Sequence, residues 1–388
     1  MDRVGVDRKY RGGSAVLRWT GWILPALTGF VVQRLVAGTP RVAERVLSRG
    51  LFRVVSTPIM RLTSWIPFSV TELLAVAALP VAVVLCIRLN RHLRRADPGQ
   101  RGAVAGRALR RLLWTLSILF LFFMVLHGWN YTRLPLSESM QWEVRERSSD
   151  DLARAAVWLA DRASEARTQV RENADGVMVL TGDIRATLAE SGTVFDDAAK
   201  QMPLLAGPPV RPKGVLLSRY WSYTGITGMY FPFLVEANVN VDAPHSSLPN
   251  TMLHEIAHTR GFAREDEAGF LAYLAGTGST SPDFRYSAFL HAYLSLSNQL
   301  YAYDEEAWAA SWDHISEAIH RDLAYQSDYW KQFEGPVREV SEQVNNTYLQ
   351  ANLQTDGVRS YGRNADLILA HLFQTVPELK DPAQGGAG

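Results

Sequence analysis

The sequence predicts a mainly α protein with a small β-sheet, preceded by about three transmembrane helices, and three observations carry that expectation. Apolar segments with Arg-rich flanks fill the first 134 residues, helix-period patterns fill most of the rest, and one alternating stretch, Phe233 to Val241, reads as strand. At 388 residues and 47% hydrophobic the chain is long enough for a sizeable core. Its net charge of +1 conceals an asymmetry, with Arg concentrated up to position 111 and carboxylates after 138. The two parts therefore face different surroundings: a membrane anchor over 1–134 and a water-soluble domain over 135–381, with a disordered tail at 382–388.

In the anchor, Arg3, Arg8, Lys9 and Arg11 precede Trp19 to Val32, the weakest of the three expected spans (about 15–36). No small-residue cleavage pattern follows closely, and two further apolar segments come after it, so a removable signal peptide is not favoured. The second span (about 70–89) contains Pro80, a kink that membrane helices tolerate, and the third (about 109–128) closes on Trp129 and Tyr131, which suit the interface belt. Arg88, Arg91, Arg94, Arg95, Arg101, Arg107, Arg110 and Arg111 crowd the connection between them against Asp97 alone, which makes it cytoplasmic. With three spans the N-terminus is inside and everything after Tyr131 is outside. Between the first two spans, Val42, Val46, Leu51, Val54, Val55, Ile59 and Leu62 have the spacing of an amphipathic helix lying on the outer surface.

The expected location is thus the plasma membrane, multi-pass, with the lipid bilayer as one partner. Nucleic acid is not expected, because the basic residues flank apolar spans and lack interleaved aromatics. Cys86 is the only cysteine, so an intrachain disulfide and a Cys-based metal site are excluded, and within its apolar run it reads as a small buried hydrophobe.

Beyond the anchor, Asp150 to Glu172 and Ile184 to Met202 have helical periodicity, and Pro203 to Pro212 reads as a loop. Val215 to Leu217 and Phe233 to Val241 read as strands, the second placing Glu236, Asn238 and Asn240 on one polar face. An exposed strand edge suits an extended peptide, so these three residues are the candidate substrate-binding wall. Asn250 is the expected N-cap of the next helix. Helices are then expected over 287–303, 305–329, 335–354 and 364–373, with Trp308, Trp312, Tyr329 and Trp330 in the core.

The stretch that carries chemistry is Leu253-His254-Glu255-Ile256-Ala257-His258-Thr259-Arg260-Gly261, followed by Glu265-Asp266-Glu267-Ala268. On a helix His254 and His258 project from one face, one turn apart, so both imidazoles reach one metal ion. Glu255 falls beside the metal rather than on it, where it can take a proton from an activated water. Gly261 ends the first helix and the acids suit the start of a second. A catalytic zinc wants a third protein ligand, expected from a carboxylate at the start of that second helix. The motif helix has too few apolar residues to span a bilayer, so the chemistry is aqueous.

Glu265-x-x-Ala268 resembles the Glu-x-x-Ala pattern that carries the third ligand in several membrane-associated zinc peptidases, which favours Glu265 with Glu267 as alternate. Those families place Asp or Asn after the Ala to support a ligand histidine; here the position is Gly269, so support must come from elsewhere. Taken whole, the stretch resembles a bacterial family of membrane-anchored proteins of unknown function that look like Glu-zincin peptidases. The resemblance extends to Ile66-Pro67-Phe68-Ser69, to Gly228-Met229-Tyr230-Phe231-Pro232 with Glu236 to Asn240, and to Gly357 to Gly362.

It implies an α+β zincin-like outer domain, a zinc ion (Zn2+) on His254, His258 and Glu265, Glu255 as catalytic base, and a peptide or protein substrate. A donor opposite Glu255 would stabilise the negative oxygen of the intermediate; Tyr361 is the candidate, Arg363 the second, with Tyr223, Tyr230 and Tyr348 open. Two other functions stay in view: a non-catalytic module that binds a peptide or cell-envelope component, and a zinc hydrolase of a non-peptide amide. Glu255 argues against the first, since a structural zinc site needs no base beside its ligands.

Overall fold

The structure is a computed structural model that describes residues 20–145, 147–354, 357 and 363–380. In chain order the first elements are α1 (Ile23–Ala37), a π-helical stretch (Ala43–Phe52), α2 (Arg53–Ser64), α3 (Val70–Arg95) and α4 (Arg101–Leu126). There follow α5 (Ser149–Arg167), strands β1 (Arg171–Glu172) and β2 (Met178–Val179), α6 (Ile184–Gln201), and strands β3 (Lys213–Gly214), β4 (Gly228–Phe231) and β5 (Glu236–Val239). The chain then runs through α7 (Leu248–Thr259), α8 (Glu265–Thr277), α9 (Pro282–Tyr303), α10 (Glu305–Trp312), α11 (Glu317–Lys331), α12 (Pro336–Ala351) and α13 (Asn364–Thr375). The mainly helical class with small sheets is as expected. Two compact units result, one of the residues up to Phe52 with Glu72–Arg133, the other of Arg53–Thr71 with Leu134 onward.

In the first unit α3 and α4, 26 residues each, are about 39 Å long against a hydrocarbon core of about 30 Å. Their apolar windows are only 6% and 17% buried, so both helices turn apolar surface outward. Cys86 lies on that outward surface rather than in a core. α1 has 15 residues and is too short; among the described residues two helices, not three, are long and apolar enough to cross a membrane. Hydropathy missed the stop at Gly38-Thr39-Pro40, where Pro40 opens a new turn. Trp129 and Tyr131, expected at a membrane interface, are buried instead, the Trp129 indole donating to the Gly29 carbonyl at 2.9 Å. The surface helix expected near 42–62 divides at Phe52, and Glu44 is buried in a two-pronged ion pair with Arg133 at 2.9 Å.

The second unit holds the site. α5 starts where the Ser148 hydroxyl caps the Asp151 N–H, and α6 where Asp183 caps Ala186. The three-stranded sheet has the order β3-β5-β4, with β5 parallel to β3 and antiparallel to β4. The strand expected at 215–217 lies earlier, at Lys213–Gly214, and the one expected at 233–241 contracts to Glu236–Val239, because Pro232–Leu234 forms a 3-10 turn. α7 begins at Leu248 with Pro249 in its first turn, so Asn250 sits inside the helix rather than capping it. Of the aromatics expected in the core, Tyr329 is buried and Trp308, Trp312 and Trp330 are half-buried.

Candidate metal centre

α7 ends at Thr259, and Gly261, at φ +86°, reverses the chain in a left-handed conformation that suits glycine. α8 starts four residues later, which returns Glu265 to the histidine pair. His254 Nε2 lies 3.0 Å from Glu265 Oε2 and 3.1 Å from His258 Nε2, and His258 Nε2 lies 3.4 Å from the same carboxylate oxygen. Ligand atoms about 2.1 Å from a tetrahedral ion are about 3.4 Å apart, so this donor set fits a zinc ion. Three atoms able to act as electron-pair donors converge where a cation would satisfy all of them.

Support for the ligands differs from expectation. His258 Nδ1 donates to the Phe262 carbonyl oxygen at 2.7 Å, which directs Nε2 to the cluster. Gly269 leaves room for Asn364 of α13: a β-carbon there would meet the Asn364 Nδ2 at 3.2 Å. The loop after α7 is pinned by buried Arg260, which donates to Asp196 at 2.9 Å and to the Pro208 carbonyl. Glu267, the alternate ligand, turns away, accepting from the Leu136 backbone N–H at 2.8 Å and from Arg264 at 2.7 Å.

Electrostatics follow from this packing. Burial opposes charge on His258, but the Glu265 carboxylate outweighs it and holds the imidazole up to about 9. Burial likewise acts to raise the Glu265 carboxyl, and the two histidines overcome it and hold that carboxyl well below the usual range. Burial dominates at Glu255 and raises its carboxyl, opposed by His258 and His254.

Glu255 is packed against β4. A β-carbon on Gly228 would fall within 2.5 Å of Glu255 Oε1, and the Tyr230 backbone N–H donates to the carboxylate. Its Oε2 is buried with no hydrogen-bond partner among the described residues. The Tyr230 ring stacks on His258 at 6.1 Å between centroids. Burial, with Tyr348 nearby, holds the Tyr230 phenol far above its ordinary pKa.

The candidate substrate wall is corrected. β5 is the middle strand, and Glu236, Asn238 and Asn240 are buried, not solvated along an edge. Glu236 accepts from the backbone N–H and hydroxyl of Thr71 at 2.8 and 2.6 Å, and Ser69 donates to Asn238 at 2.6 Å. Asn240 donates to Ser222 and to the Ile226 carbonyl, each at 3.0 Å. Among the described residues the outer strand of this sheet beside the cluster is β4.

Tyr361 lies outside the described residues, as does the tail expected at 382–388. Arg363 pairs with Asp266 at 3.3 Å, and the Tyr223 ring packs on Phe333. The sequence marks Gly228 only as part of the family resemblance, its role showing when Glu255 is placed against it, and gives no sign of His291 of α9. The His291 side chain is open to solvent, yet the surrounding protein and, secondarily, His254 hold its imidazole down to about 4.

Fold and site together define a mainly helical protein with two helices apolar and long enough to cross a membrane and a His-His-Glu cluster able to hold a metal ion. The chain belongs to the family described as a protein of unknown function (DUF3810), which matches residues 47–369. No curated protein and no solved structure matches it.

Proposed function

We propose that this chain is a membrane-anchored, zinc-dependent peptidase working on the outer face of the membrane. The observation that carries the proposal is a convergent His254, His258 and Glu265 cluster with a buried, half-satisfied Glu255 carboxylate adjoining it. His254, His258 and Glu265 would hold the ion. A zinc ion there would supply a Lewis acid for a carbonyl oxygen and would make a water acidic near neutral pH. Glu255 removes the proton from the attacking water and returns it to the leaving amine, its carboxylate lying beside the cluster with one oxygen uncommitted among the described residues. β4, rather than β5, offers the backbone edge to an extended peptide.

The outer location rests on the Arg-rich turn between α3 and α4, which the positive-inside rule puts in the cytoplasm. An even number of crossings between Thr71 and Leu134 returns the chain to the face it left. That agrees with Arg53–Thr71 and Leu134 onward belonging to one unit.

The test is metal content per chain of the full-length protein in detergent. Wild type, Glu255→Gln and Glu267→Ala are expected to keep about one zinc, and His258→Ala and Glu265→Ala to lose it. Because His258 is held up to about 9 in the metal-free site, zinc uptake at pH 7 is expected to release about one proton, read as a buffer-dependent enthalpy of binding. Peptide-library cleavage is expected to vanish in Glu255→Gln. A wild-type chain that takes up no zinc, or a Glu255→Gln chain that cleaves normally, overturns the proposal.

A further inference from the structure

α9 crosses α7 beside the cluster, and one hydrogen bond sets their register: the Ser287 hydroxyl accepts the Asn250 backbone N–H at 3.1 Å. Four residues further along each helix stand His254 and His291. Each lies one turn beyond that hydrogen bond on its own helix, and the two imidazoles are near enough to interact electrostatically. On α9 the neighbours Leu290, Ala292 and Tyr293 are buried, while His291 alone among them is open to solvent. His291 is not within ligand distance of the three converging atoms, since the set that does converge is His254, His258 and Glu265. Glu255 approaches the cluster from the β4 side, held by Gly228 and the Tyr230 N–H. The cluster is therefore flanked by a carboxylate on the strand side and an imidazole on the α9 side.

We infer that His291 is a substrate-binding residue that donates an N–H to the carbonyl oxygen of the scissile group, from the α9 side of the cluster. The inference rests on the zinc-peptidase proposal and deepens it by assigning the oxygen-binding donor to a residue on α9. An imidazole has at least one N–H in either protonation state, so it can donate throughout the neutral range. A developing negative oxygen strengthens that hydrogen bond, and the strengthening stabilises the transition state over the ground state.

The experiment loads the full-length protein in detergent with cobalt(II) in place of zinc and titrates acetohydroxamate, following the metal's visible absorption. Acetohydroxamate places a carbonyl oxygen and a charged oxygen at the metal and needs no knowledge of the natural substrate. Wild type, His291→Gln and His291→Phe are compared for cobalt per chain, thermal unfolding and hydroxamate affinity. Cobalt content and unfolding are expected to stay unchanged in both variants. Affinity is expected to fall about tenfold in His291→Phe, the loss of one hydrogen bond to a charged group, and by less in His291→Gln, whose amide can still donate.

Equal hydroxamate affinity in all three proteins overturns the role of His291 and leaves the peptidase proposal standing. Loss of cobalt from both variants also overturns it, since it would make His291 part of the metal's support. A wild-type chain that takes up neither cobalt nor zinc overturns the peptidase proposal and this inference together.

Discussion

At Gly228 the chain has no room for a β-carbon, because the Glu255 carboxylate occupies the space one would fill. Gly228→Ala is therefore expected to destabilise the protein by about 1–3 kcal/mol in denaturant unfolding. In a Glu255→Ala background, where the obstructing atoms are gone, the same change should cost little; equal costs in both backgrounds would place the clash elsewhere. Much of the site at this scale was legible in the sequence. His254 and His258 follow from helical spacing and a carboxylate early in α8 from the turn at Gly261, while the preference for Glu265 comes from the resemblance of Glu265-x-x-Ala268 to the Glu-x-x-Ala pattern. The choice between Glu265 and Glu267 depends on which way each carboxylate leaves the first turn of α8, and Glu267 is claimed by Leu136 and Arg264, one distant and one local partner. The polar face of β5 was legible as polar but not as buried, since its partners Ser69 and Thr71 are more than 160 residues away. His291 gave no signal, because only the packing of α9 on α7 distinguishes it from the other histidines.

Elements are held around the site by a few buried polar anchors. Asp322 on α11 is fully buried and accepts from Arg167 of α5 at 2.7 Å, from the Tyr286 hydroxyl of α9 at 2.6 Å and from the Met178 N–H of β2 at 2.8 Å. Removing one partner from such a buried pair leaves the other charge stranded. Asp322→Ala is expected to cost about 3–5 kcal/mol by denaturant unfolding, and a cost below about 1 kcal/mol would show that water replaces the carboxylate. Helix locations were legible from periodicity and caps, as at Ser148 and Asp183. Strand order was not: nothing local says that β5 pairs on both sides and that β4, hidden within a Tyr-rich stretch, forms the edge.

For the whole molecule, the proposed two-span hairpin predicts the exposure of each connection. In a Cys86→Ala background, Gly99→Cys in the α3–α4 turn should resist a membrane-impermeant maleimide added to intact cells, whereas Lys200→Cys, 77% exposed, should react. The reverse pattern would place the cluster in the cytoplasm. The second unit is also discontinuous: Ser69 and Thr71 complete the burial of Asn238 and Glu236. That discontinuity constrains synthesis. Thr71 leaves the ribosome 165 residues before Glu236, a delay of about 8–33 seconds at 5–20 residues per second. Through that interval Ser69 and Thr71 lack the Asn238 and Glu236 side chains they bond, while Val54, Leu62 and Trp65 of the same segment, exposed even in the folded unit, present apolar surface throughout. A fragment that begins at Leu134 never receives the segment at all, and the carboxylate of Glu236 is left waiting for a partner that was translated first.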